Sequence, residues 1–121
     1  MNAERNQGLE IRTKQFALRI IELFVGLAGS AVAQVLGRQM LRSGTSVGAH
    51  YREAVRAKSR ADFVSKIEGA LQELEETRYW LDLLTESRTV DESRVQSLRK
   101  EAEEQTRMLV ASARTAKRNK P

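Results

Sequence analysis

Residues 41–84 read LRSGTSVGAHYREAVRAKSRADFVSKIEGALQELEETRYWLDLL, and the fold turns on how this stretch is read. Its second half places Phe63, Ile67, Ala70, Leu74, Thr77, Leu81 and Leu84 three and four residues apart, the spacing of one face of an α-helix. Val64 and Leu71 flank that face. Ser59-Arg60-Ala61-Asp62 has the spacing of a capping box with Asp in place of Glu, so Ser59 begins this helix. Before it, Leu36, Met40, Ser43, Val47, Tyr51 and Ala54 share one face of another helix that runs to about Ala57. Arg38, Arg42, Thr45, Ala49, Arg52 and Arg56 fall on the opposite face, and Lys58 and Arg60 follow at its end. The middle of this helix is a poor helix former, because Gly44 and Gly48 each cost about 1 kcal/mol relative to Ala. Close approach of a neighbouring helix to those small residues is the compensation the pattern suggests. A phosphate-cradling loop is disfavoured, since Gly44 and Gly48 do not follow the phosphate-loop spacing and no Lys-Ser/Thr pair comes directly after Gly48.

Working outward, the chain before residue 41 carries a further helical pattern from about Ile11. Phe16, Ile20, Leu23 and Leu27 make one stripe, Ala17, Ile21, Phe24 and Ala28 a second, and Leu18 and Val25 widen it. A helix facing one core needs an apolar arc of roughly 100°. This arc is broader, so the helix is expected to be covered on two sides, by its own bundle and by another subunit. Gly29-Ser30 breaks the pattern, with Ser30 an N-cap for the next helix. Beyond residue 84, residues 85–91 form a polar link with Asp91 as an N-cap. A fourth helix then shows Val95, Leu98, Ala102, Gln105, Leu109, Ser112 and Ala116 on one face, with Met108 beside it. Residues 1–10 and 115–121 read as frayed ends of a single domain spanning 1–121. The fold class is all-α, an up-down-up-down antiparallel four-helix bundle.

Composition agrees with that class. The one Pro is the last of 121 residues, so no internal position interrupts a helix. Cys is absent and His50 stands alone, which removes disulfides, thiolate chemistry and any site built from two histidines of one chain. No cofactor or metal is expected, and Glu73, Glu75 and Glu76 read as a solvated or salt-bridging face. An enzyme would need a pocket gathering His50, Tyr51 and Glu53, and no catalytic residue is assigned. The apolar run 16–36 is interrupted by charged and small residues, so neither a membrane span nor a membrane partner is expected and a cytoplasmic location follows.

The net charge of +5 is unevenly spread: ten Lys/Arg against four acids in residues 1–60, six against twelve in 61–104, and five against none in 105–121. Two readings of the arginine face stand. Arg38, Arg42, Arg52, Arg56, Lys58 and Arg60 could neutralise phosphates of structured RNA or DNA, for which the Arg fork is suited. Alternatively the arginines make subunit or protein-partner contacts with the acidic segment 61–104. Faces that pair within the chain account for the same asymmetry. Phe24, Tyr79 and Trp80 are the candidate subunit-interface residues, the aromatic pair reading as interface more readily than as a base-stacking platform.

Arg42-Ser43-Gly44-Thr45-Ser46-Val47-Gly48-Ala49, Glu53-Ala54, Ala57, Ser59, Asp62-Phe63, Lys66, Glu73, Glu76-Thr77 and Tyr79-Trp80-Leu81 resemble, in order and spacing, the four-helix-bundle proteins of the 23S rRNA intervening-sequence family. Phe16-Ala17-Leu18-Arg19-Ile20 extends the resemblance loosely. The family is similar to accessory proteins of diversity-generating retroelements, basic pentamers that associate with a reverse transcriptase and nucleic acid. The resemblance therefore implies a ring-like homopentamer, with nucleic acid or a nucleic-acid-processing protein as possible partners. At position 50 the family pattern usually has Asn where this chain has His50.

Overall fold

The computed structural model describes residues 3–119, with side chains from Gly8 onward. Four long helices follow one another: α1 (Ala3–Val25), α2 (Ala31–Val55), α3 (Arg60–Glu86) and α4 (Gln96–Arg118), with a short 3₁₀ turn at Glu92–Arg94. Ser30 caps α2, its hydroxyl accepting from the Ala33 amide at 3.1 Å, and Ser59 caps α3 by accepting from Asp62 at 3.0 Å. Both caps fall where the sequence places them. Asp91 caps the 3₁₀ turn instead of α4, which starts at Gln96 without a side-chain cap.

Cross-helix contacts fix the topology. Phe24 and Leu27 lie against Gly37, Ile20 against Gly44 and Thr13 against Gly48, so α1 and α2 run antiparallel. Arg42 reaches Glu73 and Glu76 while His50 lies against Gly69, so α3 returns along α2. Arg99 bonds Asp82 and Lys117 bonds Glu68, which sets α4 antiparallel to α3. Arg12–Glu101 and Arg19–Ser97 close the bundle between α4 and α1. The result is the up-down-up-down arrangement that short connections require.

The core forms where the apolar faces meet. All seven residues of the α3 pattern are buried, as are Met40, Ser43, Val47, Tyr51 and Ala54 of α2 and Leu98, Ala102, Gln105, Leu109 and Ser112 of α4. Each large apolar side chain so enclosed contributes about 1.5–3 kcal/mol relative to exposure. Ser43 and Thr77 share a buried hydroxyl contact of 2.8 Å between α2 and α3, and Thr77 also donates to the Glu73 carbonyl at 2.8 Å.

The ends differ from expectation. α1 is helical from Ala3, and Leu9, fully buried, extends the Phe16–Ile20–Leu23 row two turns earlier. α4 continues to Arg118, where Lys117 and Arg118 suit the negative end of the helix dipole. Of the expected frayed ends, 1–2 and 120–121 lie outside the described residues. After α3 the chain turns through Arg88, whose φ of 63° is the one positive value at a non-Gly position among the described residues. The amides of Thr89 and Val90 then both return to the Leu84 carbonyl, at 3.0 and 3.1 Å.

Candidate nucleic-acid interface

The geometry of α2 follows from its three faces. One face enters the core. A second, carrying Gly37, Gly44 and Gly48, receives α1 so closely that a Cβ at Gly44 would lie 2.9 Å from Ile20 Cγ1. The hydroxyls of Thr45 and Ser46 are satisfied within the helix, Thr45 donating to the Leu41 carbonyl at 2.8 Å and Ser46 to the Arg42 carbonyl at 2.7 Å. Small residues here therefore serve close packing. The third face points outward and carries the arginines.

Those arginines do not form one continuous strip of equivalent groups. Arg42 turns toward α3, where it donates to Glu76 Oε1 at 2.7 Å and to Glu73 Oε1 at 3.3 Å. Arg52 and Arg56 lean toward α1 and share Glu10 Oε2, each at 3.9 Å, and Arg56 also donates to the Arg52 carbonyl at 3.1 Å. Arg38 and Lys58 are exposed and form no ion pair among the described residues. Arg60 is half-buried and donates to the Asn119 carbonyl, tying the start of α3 to the last turn of α4. Between Arg52 and α1 lies a groove of roughly 740 Å³ whose walls include Ile11, Lys14, Ala17, Thr45 and Ala49. Small side chains at Ala17, Gly48 and Ala49 leave it open.

His50 does not turn to Glu53, one turn along its own helix. Its Nε2 lies 3.7 Å from Glu73 Oε2, so Glu73 faces both Arg42 and His50. Its Nδ1 is enclosed without a hydrogen-bond partner, and Gly69 leaves the space the ring occupies. Among the described residues no three His, Cys, Asp or Glu side chains gather as a metal site. Nor is any described helix long and apolar enough to cross a membrane.

The candidate interface residues separate in the same way. Phe24 is half-buried against Gly37, and Trp80 is half-buried against the core with its Nε1 enclosed. Tyr79 meets Trp80 edge-on with centroids 5.1 Å apart and is 54% exposed. A further apolar surface lies outside the candidate interface residues: Ile11, Leu18, Ile21 and Val25 are exposed on the outer side of α1, Leu18 by 53% and Val25 by 77%. The signal for it was present in the excess width of the α1 apolar arc. Val32 and Val35, just past the α1–α2 turn, are exposed as well.

On another side of the helix, α1 meets α4 through a polar seam absent from the sequence reading. Arg12 forks onto Glu101 with two bonds of 2.9 Å, and Gln105 donates to Glu101 at 2.8 Å and to the Arg12 carbonyl at 3.2 Å. The bond to Glu101 raises the Arg12 pKa. Burial disfavours the charged carboxylate of Glu101, but the donors Arg12 and Gln105 outweigh it and hold its pKa below the ordinary value.

Comparison with known proteins fits this architecture. The family model described as 23S rRNA-intervening sequence protein matches residues 10–111. A crystal structure from Bacteroides thetaiotaomicron VPI-5482, described as a protein with unknown function from the S23 ribosomal protein family, superposes with a TM-score of 0.86. It is 35% identical, and the match covers 91% of this chain and 98% of that one. No curated protein matches. By the extent of the family match and the closeness of that structure, the chain belongs to the 23S rRNA-intervening sequence protein family.

Proposed function

We propose that the protein is a non-enzymatic, cytoplasmic homo-oligomer that binds structured RNA or other nucleic acid through the basic residues of α2 and the link that follows it. The observation that carries this reading is the set of surface cations facing away from the core: Arg38 and Lys58 without a carboxylate partner among the described residues, and Arg52 and Arg56 held only at 3.9 Å from one shared carboxylate. Such groups are available to displace counterions from a phosphate backbone. The exposed α1 row supports self-association, since contiguous apolar surface on a helix flank is the kind that a second subunit covers. The family resemblance implies a subunit number of five.

A second reading has one specific observation in its favour. Arg42 is engaged by Glu73 and Glu76, so at that position the arginine braces α2 against α3. On this reading the remaining arginines would likewise make structural or protein-partner contacts. Neutralising Arg38, Arg42, Arg52, Arg56, Lys58 and Arg60 to Gln together separates the two. Nucleic-acid binding predicts that a fluorescein-labelled RNA hairpin bound by the wild type is released by the variant while light scattering shows the same assembly mass. Equal RNA affinity in both proteins, or no wild-type binding at low salt, would refute the proposal.

A further inference from the structure

We infer that the main phosphate-binding surface is one pole of the bundle, where α2 ends, α3 begins and α4 ends, with the outer flank of α2 contributing less. This rests on the nucleic-acid reading above and places it.

The antiparallel topology brings Arg56, Lys58 and Arg60 to the same pole as Arg114, Lys117 and Arg118 of the last turns of α4. Arg60 joins the two groups physically through its bond to the Asn119 carbonyl. Of the carboxylates near this pole, Asp62 is engaged by Lys66 at 3.5 Å, Glu68 by Lys117 at 3.2 Å and Glu10 by Arg52 and Arg56, while the exposed Glu53 in the last turn of α2 has no cation partner among the described residues and offsets one charge only. Lys58, Arg114 and Arg118 are exposed and have no carboxylate partner among the described residues. The pole thus keeps an uncompensated positive charge.

The flank keeps less. Arg42 sits between two carboxylates of α3, so a phosphate approaching it must compete with both, and Arg38 is the flank's remaining unpaired cation. The opposite pole mixes signs, with Glu22, Glu86, Asp91 and Glu92 near Arg88 and Arg94. Counterion release rewards cations that are not already neutralised. The free cations belong to separate elements, the α2–α3 link and the outer side of α4. They therefore suit a run of phosphates along a nucleic-acid strand better than a single small anion.

The test compares a pole variant, Lys58→Glu/Arg114→Glu/Arg118→Glu, with a flank variant, Arg38→Glu/Arg42→Gln. Gln is chosen at position 42 because Glu there would add a third carboxylate beside Glu73 and Glu76. A fluorescein-labelled RNA hairpin is titrated across a salt series, with circular dichroism to confirm helicity and light scattering to confirm mass. The pole variant is expected to lose at least about tenfold in affinity, with its log–log salt slope shallower by about 2–3. The flank variant should lose less on both measures. If charge reversal impairs folding, the Lys58→Gln/Arg114→Gln/Arg118→Gln variant should show the same ordering at smaller amplitude. A pole variant that binds like the wild type, beside an impaired flank variant, overturns the placement alone. Wild-type protein that fails to bind overturns the function together with its placement.

Discussion

Replacing Gly44 by Ala sets two effects against each other, and the structure decides the sign. Ala in place of Gly in a helix interior gains about 1 kcal/mol. Here the added Cβ would stand 2.9 Å from Ile20 Cγ1, 3.0 Å from Cγ2 and 3.3 Å from Cβ, where carbon atoms prefer about 3.5–4.0 Å. Ile20 cannot swing aside. It is fully buried, and a β-branched side chain in a helix keeps one favoured χ1. Relief requires α1 to move away from α2, an overpacking penalty of about 1–3 kcal/mol. The net expectation is a loss of about 1 kcal/mol, or roughly 3–5 °C in melting temperature for a chain of this size. Gly8 is the matched control: nothing lies within 4 Å of its would-be Cβ, so Gly8→Ala should leave stability equal or higher. Urea unfolding followed through the single Trp, at one fixed protein concentration, reads both. In an Ile20→Ala background, which removes both γ-carbons, Gly44→Ala should switch to stabilising. A Gly44→Ala protein more stable than wild type, or no change of sign in that background, would refute the close-approach explanation of the α2 glycines.

Three further outcomes follow from named contacts. Leu18→Glu/Val25→Glu should lower the assembly mass in light scattering with helicity unchanged, because both side chains stand outside the core on the outer row of α1. Arg88→Gly should raise stability by about 1 kcal/mol in thermal unfolding, since a φ of 63° costs a side-chain-bearing residue what it does not cost Gly. The Glu101 carboxyl has a folded-state pKa below its ordinary value, so its contribution is present above the usual carboxylate range and lost as pH falls through that range and then through the folded value. Glu101→Gln should therefore be less stable than wild type by about 1 kcal/mol at neutral pH, the scale of a partly exposed forked pair. That gap should close progressively below about pH 5 in urea titrations.

What the sequence made legible was whatever a single helix decides for itself. The seven-residue face of α3 and the Ser30 and Ser59 caps are local patterns, and all stand where they were read. The small-residue segment of α2 was legible as a packing device because its propensity cost demanded compensation. What depends on register between helices was not legible. That Arg42 would meet Glu73 and Glu76 requires knowing how far α3 is offset along α2, which no periodicity states. The same offset sends His50 to Glu73 instead of the nearer-in-sequence Glu53. The interface reading of Phe24 comes from the width of the α1 arc and that of Trp80 from its place in an aromatic pair, while the half-burial of both against Gly37 and the core beside α3 depends on how the helices meet. The polar α1–α4 seam was hidden for a related reason. Arg12 and Glu101 lie 89 residues apart, and each reads alone as an ordinary surface charge. The polar composition of residues 3–8 likewise masked how early α1 begins, although Leu9 was there to anchor it.

The most direct test of the nucleic-acid reading is the salt dependence of wild-type affinity for one structured RNA, measured by fluorescence anisotropy on samples of known assembly mass. Each phosphate neutralised adds about 0.7–0.9 to the magnitude of the log–log slope. Engagement of the free cations at even one pole, Lys58, Arg114 and Arg118, predicts a slope of about −2 or steeper, growing with the number of subunits that bind. A slope near zero, or no binding at low salt, would contradict the account and leave the arginines as groups that build and brace the bundle.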